Sequence, residues 1–245
     1  MKSFFSKKSI LRTMAVAAVC MLGATSVKAQ EFTIQGDFVS SYVWRGIYQG
    51  GAASFQPTLG FSAGNFSLTA WGSTSLSESN KEIDLTAAYK FGETGPALSV
   101  ATLWWDGQGA GNYFHFKSGD TGHHFEAGLA YTLPVEKFPL SIAWYTMFAG
   151  ADRNDKGEDK QVYSSYVELN YPFSVKGVDL NATCGMVPYE TPQYNVNGFA
   201  VTNFALKATK ALNFNERFSL PIFVQAIWNP RMEDAHLVFG VTLKP

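Results

Sequence analysis

The most restrictive feature of the sequence is a two-residue alternation of apolar and polar side chains, which runs from Glu31 almost to the C-terminus. In the segment 83–91 the apolar side comprises Ile83, Leu85, Ala87, Tyr89 and Phe91. Successive side chains of a β-strand point to opposite faces of the sheet, so each such segment has one apolar and one polar face. Helical periodicity is almost absent. The chain therefore has to fold as a sheet with two chemically different faces.

The alternation predicts about twelve strands, although ten or fourteen would also fit because 97–106 and 219–228 alternate poorly. Several segments exceed the roughly five or six residues of an ordinary strand. They approach the roughly 9–11 residues that a tilted strand needs to cross a bilayer. The predicted strands are 32–45, 55–63, 66–76, 82–91, 97–106, 123–133, 140–149, 162–172, 178–187, 199–209, 219–228 and 236–244.

The connections between these segments alternate in character. One set is polar, glycine-rich or charged, and mostly long: 46–54, 77–81, 107–122, 150–161, 188–198 and 229–235. The other set is mostly tighter: 64–65, 92–96, 134–139, 173–177 and 210–218. Long loops at one end and short turns at the other are typical of outer-membrane barrels.

Composition favours a membrane barrel over a soluble sheet protein. Aromatic residues make up 15% of the chain and charged residues only 16%, against roughly 25% charged residues in average soluble proteins. Many aromatic residues lie near strand ends, where they would form the girdles of a membrane barrel. We therefore predict an all-β fold, a transmembrane antiparallel up-and-down β-barrel. A soluble secreted β-barrel that binds an apolar ligand is an alternative.

The first 29 residues have the features of a removable secretory signal. A basic start is followed by an apolar stretch from Met14 to Ala24 and by small residues at Val27 and Ala29. We predict a signal peptide at 1–29 and the barrel at 30–245. Without the five basic residues of the signal the chain is acidic, which argues against nucleic-acid binding. Cys184 would remain without a second cysteine, so no disulfide is expected.

The first predicted strand carries a short motif. The stretch SSYVWRGIYQ places Tyr42, Arg45, Gly46 and Gln49 in a Tyr-x-x-Arg-Gly-x-x-Gln pattern. Over residues 36–76 the sequence resembles the opening of the TorF-type family of bacterial outer-membrane porins. The resemblance implies a porin-like barrel in the bacterial outer membrane.

The polar face of the strands predicts which side chains line the lumen. Arg45 is expected on the lumen face of the first strand, near its outer end, where it would set the charge of the constriction. Buried charges need water or partners, so these residues would either line a wet pore or pair across a closed lumen. The candidate pore-lining residues are Asp37, Arg45, Trp71, Asp84, Lys90, Glu126, Tyr166, Glu168 and Lys207.

These features favour a channel for passive diffusion of small hydrophilic solutes or ions. We expect outer-membrane lipid and lipopolysaccharide as surroundings. We also expect the barrel-insertion machinery as a partner, with Phe239 or Leu243 in place of a terminal aromatic residue. A monomer is favoured.

An outer-membrane lipid acyl hydrolase is the enzyme alternative. It would need a serine nucleophile, a histidine base and an orienting group. His115 and Ser118 share a loop, but their spacing matches no hydrolase motif, and His123 and His124 should point to opposite faces of a strand. We therefore expect no enzyme activity, no catalytic residues, no metal site and no cofactor.

Overall fold

The chain folds into a closed antiparallel barrel of twelve strands, with a separate two-stranded hairpin. The computed structural model describes residues 30–50, 52–106, 112–117, 120–154, 160–215 and 218–244; the predicted signal peptide at 1–29 lies outside these residues. The strands are β1 Gln30–Val39, β2 Tyr42–Trp44, β3 Ile47–Gly50, β4 Ser54–Ala63, β5 Phe66–Ser75, β6 Lys81–Lys90, β7 Ala97–Trp105, β8 His123–Thr132, β9 Ser141–Gly150, β10 Ser165–Val175, β11 Val178–Val187, β12 Ala200–Asn215, β13 Phe218–Asn229 and β14 Asp234–Leu243.

Each wall strand pairs with its neighbours in the chain, and β1 pairs with β14 to close the barrel. The predicted up-and-down barrel of twelve strands is confirmed. The connections after β4, β6, β8, β10 and β12 are short and define the short-turn end, and the other connections define the long-loop end. Within the described residues, no helix is long and apolar enough to cross a lipid bilayer.

Three sequence predictions about strand limits are wrong. The first predicted strand, 32–45, leaves the wall at Val39, and the following residues form the separate hairpin β2–β3. The links predicted at 173–177 and 210–218 are mostly strand, because β10 continues to Val175 and β12 continues to Asn215. In both places pairing with the next strand extends the ladder beyond the apolar alternation.

The outer wall carries an exposed belt of large apolar side chains. Among its members Leu237 is 71% exposed, Ile34 60% and Val100 53%. Further members are Phe32, Leu59, Leu68, Leu85, Leu98, Leu129, Ile142, Trp144, Leu206, Val224, Trp228 and Phe239. The apolar face of the alternation therefore points outward and not into a core.

The lumen differs between its two halves. In the long-loop half, buried apolar clusters fill it, and one of them groups Tyr166, Val187, Tyr194 and Val196. In the short-turn half, half-buried polar side chains line the wall. We call this part the polar vestibule; it is lined by Gln35, Asp37, Thr58, Asn170, Asn181, Thr183, Lys207 and Gln225.

The closing pair of the barrel is short. β1 pairs with β4 over its whole length, Gln30–Val39. It pairs with β14 only from Gly36 to Val39, opposite Gly240–Leu243. We call this closing pair the seam.

Candidate functional site

The hairpin formed by residues 42–50 folds into the lumen at the long-loop end, and we call it the lumen hairpin. Its strands β2 and β3 are joined by Arg45 and Gly46, which have φ of 50° and 83°. Two consecutive residues with positive φ are typical of the tight hairpin turn that matches strand twist. At Gly46 a side chain would also overlap the carbonyl oxygen of Thr202 on β12. Glycine is therefore required both for the turn and for its approach to the wall.

Arg45 lies at the tip of the lumen hairpin and forms a bidentate ion pair with Glu126 on β8. Its Nη1 lies 2.7 Å from Oε2 and its Nη2 lies 2.8 Å from Oε1 of Glu126. Nη1 also donates to the hydroxyl of Tyr194 at 2.6 Å. The two charged side chains are only 12% and 6% exposed. Bidentate charge-assisted hydrogen bonds are among the strong ones in proteins.

Aromatic rings surround the Arg45 guanidinium. Its Cζ lies 4.6 Å from the ring centre of Trp44, 4.7 Å from that of Tyr145 and 4.8 Å from that of Tyr166. Cations over aromatic faces are attracted by the ring quadrupole, more strongly when water is excluded. The guanidinium is therefore held by wall strands on one side and by its own hairpin on the other.

The alternation predicts Arg45 on the lumen face of the first wall strand, and this element is wrong. Arg45 does lie inside the barrel, but at the tip of the lumen hairpin. Trp44, which the alternation places on the outer face, packs inside against Trp105 and Tyr194 with ring centres 5.5 Å apart in each case. Gly46 is the signal for the turn, because glycine inside a strand pattern often marks a bulge or bend.

All four motif residues belong to the lumen hairpin. Tyr42 packs on Trp71 of β5, with ring centres 5.6 Å apart. The Gly46 carbonyl accepts from Asn229 Nδ2 at 3.0 Å. The Gln49 carbonyl accepts from Asn80 Nδ2 at 3.2 Å. The motif thus provides the tip of the hairpin and the contacts that attach it to the wall.

Tyr166 and Glu168, also predicted for the lumen, form a second network on β10. The Tyr166 hydroxyl donates to Glu168 Oε2 at 2.9 Å and accepts from Asn203 Nδ2 at 3.1 Å. Asn170 Nδ2 donates to Glu168 Oε1 at 2.6 Å. On β11, a side chain at Gly185 would overlap the Tyr166 hydroxyl, so glycine makes room for this buried ring.

The remaining lumen candidates are distributed along the barrel. Asp37 accepts from Gln35 Nε2 at 3.3 Å in the polar vestibule. Lys207 lies in the same vestibule, with Nζ 3.8 Å from the ring centre of Phe223. Lys90 lies at the short-turn end of β6 and is exposed, away from the ion pair. Asp84 pairs in register with Trp71.

Glu82 is a lumen residue that the sequence analysis missed. It begins the predicted strand 82–91, two residues before the candidate Asp84, so the alternation alone assigns it to the lumen face. In the structure it pairs in register with Ser73 and Trp105 and is only 3% exposed. Its position two residues before Asp84 on the same strand face places two carboxylates side by side.

The loops at the long-loop end are fastened by a buried polar cluster. Asp152 Oδ2 accepts from the Ser164 backbone N–H at 2.8 Å and from Gln161 Nε2 at 3.0 Å. Ser164 Oγ also contacts Asp152 and the hydroxyl of Thr191. Burial raises the pKa of Asp152, although the hydrogen bonds from Ser164 and Gln161 oppose this shift. Burial likewise raises the pKa of Tyr194, so its hydroxyl stays neutral beside Arg45.

The histidines do not form a hydrolase-like arrangement in the described residues. The His123 ring contacts Thr102 Oγ1 at 2.7 Å and the Tyr113 carbonyl at 2.5 Å. His124 packs on Trp105 on the lumen side, and His115 lies 3.3 Å from Asp120. Ser118 lies outside the described residues. Within those residues, no group of three or more His, Cys, Asp or Glu side chains could hold a metal ion.

Comparison with solved structures gives weak likenesses in fold. No protein-family model and no curated protein matches the chain. Among solved structures, the translocator domain of the autotransporter NalP from Neisseria meningitidis aligns with a TM-score of 0.38 and 12% identity, covering 96% of this chain and 94% of that chain. The barrel architecture described above rests on the strand register itself and not on this likeness.

Proposed function

We propose that the protein is a bacterial outer-membrane channel for small hydrophilic solutes or ions, closed by the lumen hairpin. One observation carries the proposal. A vestibule lined by polar side chains ends at the lumen hairpin, which the buried ion pair Arg45–Glu126 helps to hold across the lumen. Water-accessible polar walls are what hydrophilic solutes need in order to pass.

The outer belt supports a position in a membrane. Large exposed apolar surfaces on soluble monomers are rare, and an outward apolar band with a polar interior is the pattern of outer-membrane barrels. By the same pattern, the short-turn end faces the periplasm and the long-loop end faces outward. The predicted signal at 1–29 fits export to this membrane. Lipid and lipopolysaccharide around the belt, assembly by the insertion machinery and a monomeric state are parts of the proposal.

The attachment of the lumen hairpin suits a movable gate. Its two strands form their own sheet and do not join the ladder of the wall. Side chains supply the contacts described above: Arg45 with Glu126, and Asn80 and Asn229 with hairpin carbonyls. The hairpin can therefore leave the lumen while every wall strand keeps its partners.

The proposal does not include catalysis. Ser164 has a buried hydroxyl beside Asp152, and this hydroxyl also contacts Thr191. His123 has both ring nitrogens in contact with Thr102 and Tyr113. Neither arrangement favours the lipid acyl hydrolase.

Planar-bilayer conductance of the refolded protein under a salt gradient tests the proposal. We expect rare openings for the wild type and frequent or sustained openings for Arg45→Ala, because the substitution removes the ion pair that holds the gate. Arg231→Ala is the matched control: this exposed arginine lies in the connection between β13 and β14, at the same end of the barrel. It should behave as the wild type.

Silence from both wild type and Arg45→Ala, with insertion verified, would refute a gated channel. Dependence on detergent distinguishes the membrane channel from the soluble secreted β-barrel. A protein that stays monodisperse without detergent would show that its apolar belt does not need lipid.

A further inference from the structure

A cavity of about 200 Å³ lies at the long-loop end, between the lumen hairpin and strands β5–β7. Tyr42 and Gln49 form its hairpin side, and Ser73, Glu82 and Trp105 form its wall side. It is separate from the Arg45–Glu126 ion pair, because neither of those residues lines it. The cavity is therefore a second polar site that the proposed gate does not use.

The Glu82 carboxylate in this cavity has no hydrogen-bond partner among the described residues. Both of its oxygens are buried and unpartnered, and the side chain is only 3% exposed. The Tyr42 hydroxyl, the Trp105 indole N–H and the Asp84 carboxyl group are its polar neighbours, and the Trp105 N–H also has no partner within the described chain. Buried carboxylates without partners are costly, so this group calls for a ligand.

A second acidic group, Asp84, lies next to Glu82 without lining the cavity. Asp84 follows on the same face of β6, and its Oδ1 is also buried without a partner in the described structure. Asp106 adds a third acidic group on the rim, where Lys81 is the basic residue. Arg45 also acts electrostatically on Glu82, but its guanidinium is bound bidentately by Glu126. Among these residues, acidic groups therefore outnumber the basic one.

We propose that this cavity binds a hydrated divalent cation, Mg²⁺ or Ca²⁺, through Glu82, with Asp84 next to Glu82 adding to the negative charge that attracts it. Both ions prefer oxygen ligands, and Mg²⁺ in particular is bound by one or two carboxylates while it keeps several waters. The volume of about 200 Å³ leaves room for such waters, each of which occupies about 30 Å³ in the liquid. The hydroxyls of Tyr42 and Ser73 on the lining can contact these waters.

The position of the cavity links the cation to the gate. Its lining includes Tyr42 and Gln49 from the hairpin and Glu82 from the wall, so a bound cation bridges the two. A ligand that binds one state more tightly shifts the population towards that state. The cation stabilises the inward position of the lumen hairpin. This consequence rests on the proposed function, but the binding site itself does not.

Thermal unfolding of the lipopolysaccharide-free refolded protein in detergent tests the site, with EDTA, MgCl₂ and CaCl₂ compared. A cation that binds only the folded state raises Tm in a concentration-dependent way. Glu82→Gln and Asp84→Asn keep the side-chain shape and remove one charge each, so each should weaken binding by a factor on the order of ten or more. Asp179→Asn is the control, because this exposed carboxylate accepts from Ser174 Oγ at the short-turn end.

Terbium luminescence provides a second readout that does not depend on unfolding. Tb³⁺ replaces hard divalent ions, and Trp105 on the cavity wall should sensitise its emission. We expect emission from the wild type and Asp179→Asn, competition by Mg²⁺ or Ca²⁺, and loss in Asp84→Asn even if Glu82→Gln does not fold. Trp105→Phe should lose the emission and keep the thermal shift.

Two results would overturn the proposal: a wild-type Tm that divalent ions leave unchanged, or equal ion responses in wild type and both carboxylate variants. Neither result depends on conductance, so the failure of this site and the failure of the channel are distinguishable.

Discussion

Substitution of Arg45 by alanine should release the lumen hairpin without unfolding the barrel wall. The ion pair that it removes is buried, with side chains 12% and 6% exposed. Removing one partner of such a pair costs about 3–5 kcal/mol, because it leaves an uncompensated buried charge. Here that charge is the carboxylate of Glu126, which also loses both of its hydrogen bonds from Arg45.

The cost should appear as easier opening of the hairpin. Because every 1.4 kcal/mol is a factor of about ten, a loss of about 4 kcal/mol increases the population of the open hairpin by roughly a thousandfold. Hydrogen–deuterium exchange measures this directly. Backbone amides of 42–50 should lose about three orders of magnitude of protection, while amides of β7, Ala97–Trp105, should keep theirs.

A double-mutant cycle separates the ion pair from the loss of side-chain packing. Arg45→Met alone leaves Glu126 unpaired and Glu126→Leu alone leaves Arg45 unpaired, so each should open the hairpin as Arg45→Ala does. Arg45→Met with Glu126→Leu removes both charges and should restore much of the protection. Additive effects in this cycle, or equal loss of protection in hairpin and wall, would refute the reasoning.

Three further changes test other parts of the structure. Gly185→Ala places a methyl group against the buried hydroxyl of Tyr166 and should lower the free energy of unfolding by about 1–3 kcal/mol in urea titrations. Burial raises the pKa of Asp152. The folded protein therefore gains stability from the protonated carboxyl group below the unfolded pKa of about 3.9. This stabilisation is lost as the pH rises through the raised pKa of the folded state. Asp152→Asn should therefore gain in Tm relative to wild type as the pH increases. Leu85→Arg places a charge on the exposed outer belt and should cost about 2–4 kcal/mol in lipid vesicles if it lies near the bilayer midplane.

Each of these changes has a matched control. The methyl group added in Gly198→Ala has no neighbour within 4 Å, so the urea midpoint should stay unchanged. An equal shift in both glycine variants would contradict the packing argument. A difference in Tm between wild type and Asp152→Asn that does not vary with pH would contradict the argument from burial. Thr86→Arg, on the lumen face next to Leu85, should lower the free energy of unfolding by less than Leu85→Arg does. A larger loss for Thr86→Arg would indicate that the belt faces water.

The wall of the barrel could be predicted because its information is local. Most strands are recognisable from the alternation of a few consecutive residues. The ends of β11, Val178–Val187, match the sequence prediction. The end of β12 could not be placed in this way. Residues 210–215 contain Lys210 and two asparagines, which suggest a turn, but pairing with β13 extends them as strand.

The lumen hairpin could not be predicted, because an inward hairpin and a continuing wall strand share the same alternation. What decides between them is contact with distant residues. Arg45 reaches Glu126 across 81 positions and Tyr194 across 149 positions of the sequence. Local patterns in a single sequence show neither of these long-range contacts. The alternation does predict which side chains of a wall strand share the lumen face, because the face follows from the period.

The seam also affects the order in which the strands of the barrel pair during assembly. Its two strands come from opposite ends of the described chain, Gln30–Val39 and Asp234–Leu243. Every other wall pairing joins sequence neighbours, whereas the seam has to bring together the two ends of the described chain, which makes it a slow pairing. Since it pairs only Gly36–Val39 with Gly240–Leu243, this final joint is also a short one. A defect in β14 should therefore leave an assembled but open sheet, and lateral tension on the finished cylinder should split it first along this line.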